Sequence, residues 1–169
     1  MKRVIIIGSG GAGKSTLAKQ MAGILDLPVF HLDSLFWKPN WQKTPKPDFD
    51  KQLIELMNQQ HWILDGNYSR TIELRMQYAD TVIFLNFNRF LCLWRAFLRT
   101  YLAKRVDPIP GCKPQMDMEF VKWIWSYSRN RVPKVIEILN RYKHSKKIFI
   151  LKNPKEKQQF LQVIEQKYA

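Results

Sequence analysis

The first residues suited to chemistry form a glycine-rich stretch close to the start of the chain. Residues 8–15 read Gly-Ser-Gly-Gly-Ala-Gly-Lys-Ser and match the pattern G-x-x-x-x-G-K-[ST] at every fixed position. Glycines let the backbone fold round an anion, and its amides supply partial positive charge. Lys14 is placed to reach the β- and γ-phosphates, and Ser15, with Thr16 as a weaker candidate, to ligate Mg²⁺. The predicted nucleotide site is Gly8, Gly10, Gly11, Ala12, Gly13, Lys14, Ser15 and Thr16.

The elements on either side of this stretch are those that must position it. Residues 4–7 are apolar and β-branched and too few for a helix, so they predict a strand buried on both faces. Residues 14–24 combine helix formers with apolar spacing, so a helix N-terminus would face the bound phosphates. The alternative is a glycine-rich turn that binds nothing, and the strand–loop–helix context disfavours it.

The rest of the chain alternates short apolar runs with helical patterns. Further strands are predicted at residues 29–32, 61–66, 81–85 and 147–151, with helices at 48–60, 90–103, 118–127, 129–142 and 154–168. This alternation predicts one α/β domain over residues 1–169, a parallel sheet with helices on both faces. Residues 33–47 are aromatic and proline-rich and predict an irregular acceptor-side loop. Residues 95–131 predict a lid-like helical arm, with ordinary core-covering helices as the alternative.

The composition narrows the choice of partners and compartment. Lysine and arginine number 28 against 14 acidic residues, a net charge of +14. This charge favours anionic partners, whether nucleotides, phosphorylated metabolites, nucleic acid or a membrane surface. Cys92 and Cys112 have no metal-ligand spacing, so we expect a reduced, cytoplasmic protein. No uncharged stretch reaches roughly 18 residues, so no membrane span is expected.

Several features favour a small kinase among proteins with phosphate-binding loops. The chain contains no Asn-Lys-x-Asp motif, which disfavours a GTPase, and five strands leave little room for the machinery of a motor. A resemblance to known kinases rests on four pieces of the sequence, which are residues 8–15, 31–41, 62–68 and 105–112. On these pieces the chain resembles the adenylate kinase and shikimate kinase group, and within that group the bacterial proteins labelled DNA topology modulation proteins.

The resemblance implies a fold and a set of acceptor-side roles. The fold would be a three-layer α/β/α sandwich with strand order 2-3-1-4-5 and a helical lid. Asp65 would hold Mg²⁺ through water, with a turn aspartate as the alternative. Asp33 would hold and deprotonate an acceptor hydroxyl, with a helix cap as the alternative. Arg70 would bind an acceptor phosphate. Trp37, Trp41 and Tyr68 form either an aromatic wall for the acceptor or a local hydrophobic cluster.

The resemblance also assigns roles to arginines in the second half of the chain. Arg95 and Arg99 would cover the base and phosphates of ATP, and Arg129 and Arg131 would neutralise the transferred phosphoryl group. Surface salt bridges are the alternative for each of them and for Arg105. The arm lacks a four-cysteine zinc pattern, so we expect no metal beyond Mg²⁺.

Three functions remain open at this point. The first is transfer of the γ-phosphoryl group of Mg-ATP to a small nucleotide or hydroxyl acceptor. The second is a nucleic-acid-associated ATPase that acts on DNA topology and uses the basic charge. The third is a protein that binds a membrane surface through the helix predicted at residues 90–103. His31, His61 and His144 show no ligand spacing and are assigned no chemistry.

Overall fold

The computed structural model describes residues 1–102, 108–113 and 115–168. Its main sheet has five parallel strands in the order β2-β5-β1-β6-β7. These strands are β1 (Arg3–Gly8), β2 (Val29–His31), β5 (Trp62–Asp65), β6 (Thr81–Leu85) and β7 (Lys147–Leu151). Counted within this sheet alone, the order reads 2-3-1-4-5, and the three-layer α/β fold predicted from the sequence is confirmed.

Helices cover both faces of the sheet because the central strand is apolar on both sides. Successive side chains of a strand point to opposite faces. Val4 and Ile6 accordingly join one hydrophobic cluster, and Ile5 and Ile7 join the other. The helices are α1 (Lys14–Leu25), α2 (Leu32–Phe36), α3 (Lys46–Met57), α4 (Ile72–Tyr78), α5 (Arg89–Tyr101), α6 (Met118–Asn130), α7 (Val132–Tyr142) and α8 (Pro154–Tyr168).

The segment after β2 is more regular than the irregular loop predicted at residues 33–47. The strand ends at His31, and α2 follows it directly. A two-stranded antiparallel ribbon comes next, formed by β3 (Trp37–Lys38) and β4 (Gln42–Lys43) around a 3₁₀ turn. Hydrogen bonds from the Thr44 amide to the Phe36 carbonyl and from the Thr44 hydroxyl to the Leu35 carbonyl, both 2.8 Å, close this ribbon. These contacts were not evident from a proline-rich sequence.

The arm predicted at residues 95–131 starts in α5 and returns in α6. Asn88 caps the start of α5, and Asp117 caps α6 by accepting from the Phe120 amide at 2.7 Å. Cys92 and Ala96 of α5 are buried, so this helix also covers the core. Arg105 lies outside the described residues. Within residues 1–102, 108–113 and 115–168, no helix combines the length and the apolar character needed to cross a bilayer.

Candidate functional site

Three of the predicted site residues, Gly8, Asp65 and Asp33, lie at or just after the ends of three neighbouring strands. Gly8 ends β1, Asp65 ends β5 and His31 ends β2. The pairing register sets Asp65 beside Ile6 on one side and beside His31 on the other. Ligands of open α/β sheets bind outside the carboxyl ends of the strands. The glycine turn follows the end of β1, and Asp33 lies just after the end of β2.

The glycine turn fits tightly against α5 and requires glycine at specific positions. Gly11 has φ of +75°, and a Cβ added to it would lie 2.0 Å from the Cys92 carbonyl oxygen. Gly13 has φ of +90° and precedes α1, and a Cβ there would lie 3.9 Å from the Arg95 guanidinium. The turn therefore presents bare backbone at the start of α1, with an arginine of α5 beside it.

Several polar groups of the turn contact one another. The Lys14 ammonium donates to the Ser9 carbonyl at 3.1 Å, and the Ala12 amide donates to the same oxygen at 3.2 Å. Among the described residues, the Ser9 hydroxyl is buried without a hydrogen-bond partner. Gly13, the residue before α1, has no side chain that could cap the N-terminus of the helix. Ser15, the predicted Mg²⁺ ligand, lies half-buried in the first turn of α1.

Two aromatic residues of α6 lie over the glycine turn. A Cβ added to Gly10 would come within 2.8 Å of the Phe120 ring and 3.3 Å of the Trp123 ring. The two rings are nearly parallel, with centroids 6.1 Å apart. The sequence analysis overlooked both residues, because aromatic residues at this spacing are typical of a helix face in the core.

Asp65 is paired with a histidine to which the sequence analysis assigned no chemistry. The His31 Nδ1 and Asp65 Oδ1 atoms are 2.6 Å apart, and the Asp65 side chain is almost fully buried. A histidine at this position orients the carboxylate at the end of the neighbouring strand. The available signal was positional, since each residue lies one position before the end of its predicted strand and the resemblance implied that these two strands are neighbours.

Asp33 lies in the first turn of α2 and is bound by a tyrosine. The Tyr68 hydroxyl donates to Asp33 Oδ1 at 2.7 Å. Burial, with a further contribution from the Asp33 charge, raises the pKa of the Tyr68 hydroxyl far above its ordinary value. Tyr68 therefore stays protonated and acts as a hydrogen-bond donor to the carboxylate. Its ring packs on Phe36 and Phe49, with centroids 4.8 and 5.3 Å away.

A buried arginine holds the loop that carries Tyr68. Arg75 donates to the carbonyls of Gly66 at 2.9 Å, Tyr68 at 3.0 Å and Thr71 at 3.4 Å. Its side chain is fully buried, and this burial lowers the pKa of the guanidinium to about 10. No role was predicted for Arg75, because an arginine in a short helix ordinarily lies on the surface.

The predicted arginines lie in different surroundings. Arg70 forms a bidentate ion pair with Asp50 of α3, with N–O distances of 2.8 and 2.5 Å. Arg131, at the end of α6, donates to the Ser69 hydroxyl at 3.0 Å. Arg95 and Arg99 are half-buried on α5, and Arg129 is exposed at the end of α6.

The ribbon that carries the two predicted tryptophans contacts the tip of the arm. The Trp37 and Trp41 rings meet edge to face, with centroids 5.5 Å apart. The Trp41 indole donates to the Lys113 carbonyl at 3.2 Å, and the Asn40 amide donates to the Gly111 carbonyl at 3.0 Å. The aromatic pair is thus part of a contact between two segments distant in sequence.

Comparison with known proteins shows which solved structures share this fold. No protein-family model and no curated protein sequence matches the chain. A shikimate kinase from Acinetobacter baumannii in complex with shikimate aligns with TM-score 0.57 and 17% identity over 98% of this chain and 92% of its own. A sugar kinase from Janibacter gives 0.55 and 14%, over 99% and 91%. A Chloroflexus aurantiacus protein whose kinase assignment is provisional gives 0.61 and 16% over 100% of both chains. The chain therefore has the fold of small P-loop kinases.

Proposed function

We propose that the chain transfers the γ-phosphoryl group of Mg-ATP to a hydroxyl group of a small acceptor. The observation that carries the proposal is the placement of the glycine turn, Asp65 and Asp33 after the carboxyl ends of three neighbouring strands. The names of the similar structures, shikimate kinase and sugar kinase, support a phosphotransferase with a small acceptor.

On the nucleotide side, the amides of the turn and Lys14 would hold the phosphates. Ser15 and, through water, Asp65 would hold Mg²⁺, which neutralises phosphate charge when bound. Arg95 is placed beside the turn by its contact near Gly13. We further propose that Arg99 assists it and that Arg129 and Arg131 approach the transferred group.

On the acceptor side, Asp33 would orient the acceptor hydroxyl and take its proton as the oxygen bonds to the γ-phosphorus. The bond from that phosphorus to the β,γ-bridging oxygen breaks, and ADP leaves with its electron pair. Tyr68 keeps the Asp33 carboxylate in position through their 2.7 Å hydrogen bond. Trp37 and Trp41 would border the acceptor.

A nucleoside monophosphate is the alternative acceptor, and Arg70 would then bind its phosphate. The bidentate pair of Arg70 with Asp50 favours the hydroxyl acceptor, because the arginine would have to leave that pair before binding a phosphate.

The test is a screen of sugars, shikimate-like acids, nucleosides and nucleotides with Mg-ATP, with product identified by mass spectrometry. We expect one ADP released for each phosphorylated hydroxyl product. Calorimetry should detect Mg-ATP binding to the wild type, and its absence at millimolar concentration would overturn the nucleotide site itself.

Two variants separate the roles in this screen. Lys14→Ala should abolish turnover, whereas Asp33→Asn should lower kcat by about 10²- to 10⁴-fold and leave ATP affinity unchanged. Asp48→Asn, an exposed carboxylate at the start of α3, is the matched control and should behave as wild type. Unchanged kcat in Asp33→Asn, or ADP release without any phosphorylated product, would contradict the proposal.

A further inference from the structure

The outward face of α5 carries a row of large exposed side chains. Four aromatic residues follow one another at intervals of four, three and four residues, which places them on one stripe of the helix. Trp125 of α6 extends this stripe, because its ring meets the Phe90 ring edge to face at 5.4 Å. We call this surface the aromatic patch: Phe90 (60% exposed), Trp94 (58%), Phe97 (41%), Tyr101 (71%), Leu102 (59%) and Trp125 (45%).

The aromatic patch lies opposite the face with which α5 contacts the core. Cys92 and Ala96 are fully buried, and their backbone lies against Gly11 of the glycine turn. An apolar stripe on a helix normally faces the core. In α5 the small residues face the core and the largest rings face outward, so packing within the described residues does not account for them.

The rings of the patch are held by one another. Trp94 and Phe97 are nearly parallel with centroids 6.1 Å apart, and Phe97 and Tyr101 are 4.2 Å apart. The Arg89 guanidinium lies 4.1 Å from the Trp125 ring centroid. The patch is thus an ordered apolar surface with a cation at its edge.

We propose that the aromatic patch docks on an anionic lipid membrane, with α5 lying in the plane of the interface. Rings with polar tips, such as Trp and Tyr, together with Phe and Leu suit the boundary between headgroups and acyl chains. The sequence of α5 contains three arginines and no acidic residue. The net charge of +14 attracts the whole molecule to an anionic surface before the rings insert.

Charge and shape favour a membrane over other occupants. A second copy of the chain would bring two bodies of charge +14 together, which opposes association. A nucleic acid strand needs a groove in which cations follow its phosphates. Here the stripe is on the outer side of a helix, and Arg95 points instead towards the glycine turn. This inference does not depend on the proposed phosphotransfer.

The experiment measures sedimentation of the full chain with vesicles of phosphatidylcholine alone or mixed with phosphatidylglycerol. We expect binding to the anionic vesicles, accompanied by a blue shift of tryptophan fluorescence. Binding should be weaker with neutral vesicles and should decrease between about 0.1 and 1 M salt as the charges are screened.

The variant Trp94→Ser/Phe97→Ser removes the centre of the patch and should lower vesicle partitioning by about tenfold or more. Val163→Ser, which removes an exposed apolar residue of α8, is the matched control and should bind as wild type. Circular dichroism and urea unfolding check that both variants remain folded.

Three outcomes would overturn the proposal. The first is no binding of the wild type to anionic vesicles. The second is equal binding by the patch variant and the wild type. The third is that neither protein binds vesicles, while the patch variant loses an association that the wild type shows. That association would be binding to single-stranded DNA or a dimer detected by analytical ultracentrifugation.

Discussion

The nucleotide side and the acceptor side of the proposed cleft are built in different ways. The nucleotide side is a turn of nearly bare backbone that touches the carbonyl of Cys92. The acceptor side is held by side chains, with Tyr68 on Asp33 and Arg75 on three carbonyls. A substitution therefore damages the first side by adding atoms and the second side by removing hydrogen-bond donors.

The largest effect is expected for Gly11→Ala on the nucleotide side. The new Cβ would lie 2.0 Å from a carbonyl oxygen in a backbone with φ of +75°. The strained backbone and the forced contact together lower the free energy of unfolding by roughly 4 kcal/mol. Urea unfolding measures this loss, and calorimetry should show that Mg-ATP binding is lost as well.

Gly23→Ala, inside α1, provides the matched control. A Cβ at Gly23 meets nothing within 4 Å, so alanine should raise the free energy of unfolding by about 0.5–1 kcal/mol. Equal free energies of unfolding for the two variants would contradict the tight fit of the turn against α5.

A somewhat smaller loss is expected for Arg75→Met on the acceptor side. The carbonyls of Gly66, Tyr68 and Thr71 would each lose the hydrogen bond that Arg75 donates, which lowers the free energy of unfolding by roughly 3 kcal/mol. Because this loop carries Tyr68, the acceptor KM should rise while the dissociation constant of ATP stays unchanged. Steady-state kinetics and calorimetry measure the two quantities separately.

Arg141→Met is the comparison for a surface arginine. Arg141 pairs with Glu73 and is about half exposed, so its loss should change stability by less than about 1 kcal/mol. Equal effects of the two arginine substitutions would mean that Arg75 does not organise the loop.

Among the three substitutions within the proposed site, the smallest effect is expected for Tyr68→Phe, which removes one hydrogen bond to a carboxylate. The variant should be less stable by about 2 kcal/mol at neutral pH. Burial raises the pKa of Tyr68, so the folded chain keeps a proton that an unfolded tyrosine releases near pH 10. The unfolded state then binds fewer protons, and wild-type stability falls as pH rises above this value.

The pH dependence separates Tyr68 from other contributions. Tyr68 should account for about 1.4 kcal/mol of lost stability per pH unit above pH 10, and this contribution should be absent from the phenylalanine variant. Urea unfolding at several alkaline pH values gives both slopes. Parallel slopes for the two proteins would show that Tyr68 is not buried against Asp33.

The two sides also differed in how far the sequence predicted them. The glycine turn is contiguous, so its residues and both flanking elements could be found from local spacing. The strands of the main sheet were predicted for the same reason, because each is a short apolar run. Their order came from the resemblance rather than from any local pattern.

The acceptor side could not be found in this way because its contacts join distant residues. Asp33 and Tyr68 are 35 residues apart, and His31 and Asp65 are 34 residues apart. Such pairs depend on strand register, which no single segment determines. The burial of Arg75 and the ribbon after α2 follow from the same long-range packing.

The contact between the ribbon and the arm bears on how an acceptor would enter the proposed site and how its product would leave. The Asn40 amide and the Trp41 indole both donate to carbonyls at the tip of the arm. An arm that swung outward would break both bonds and uncover the two tryptophan rings in one movement. In the proposed reaction, entry of the acceptor and exit of its product would then both depend on separation of the ribbon from Gly111 and Lys113.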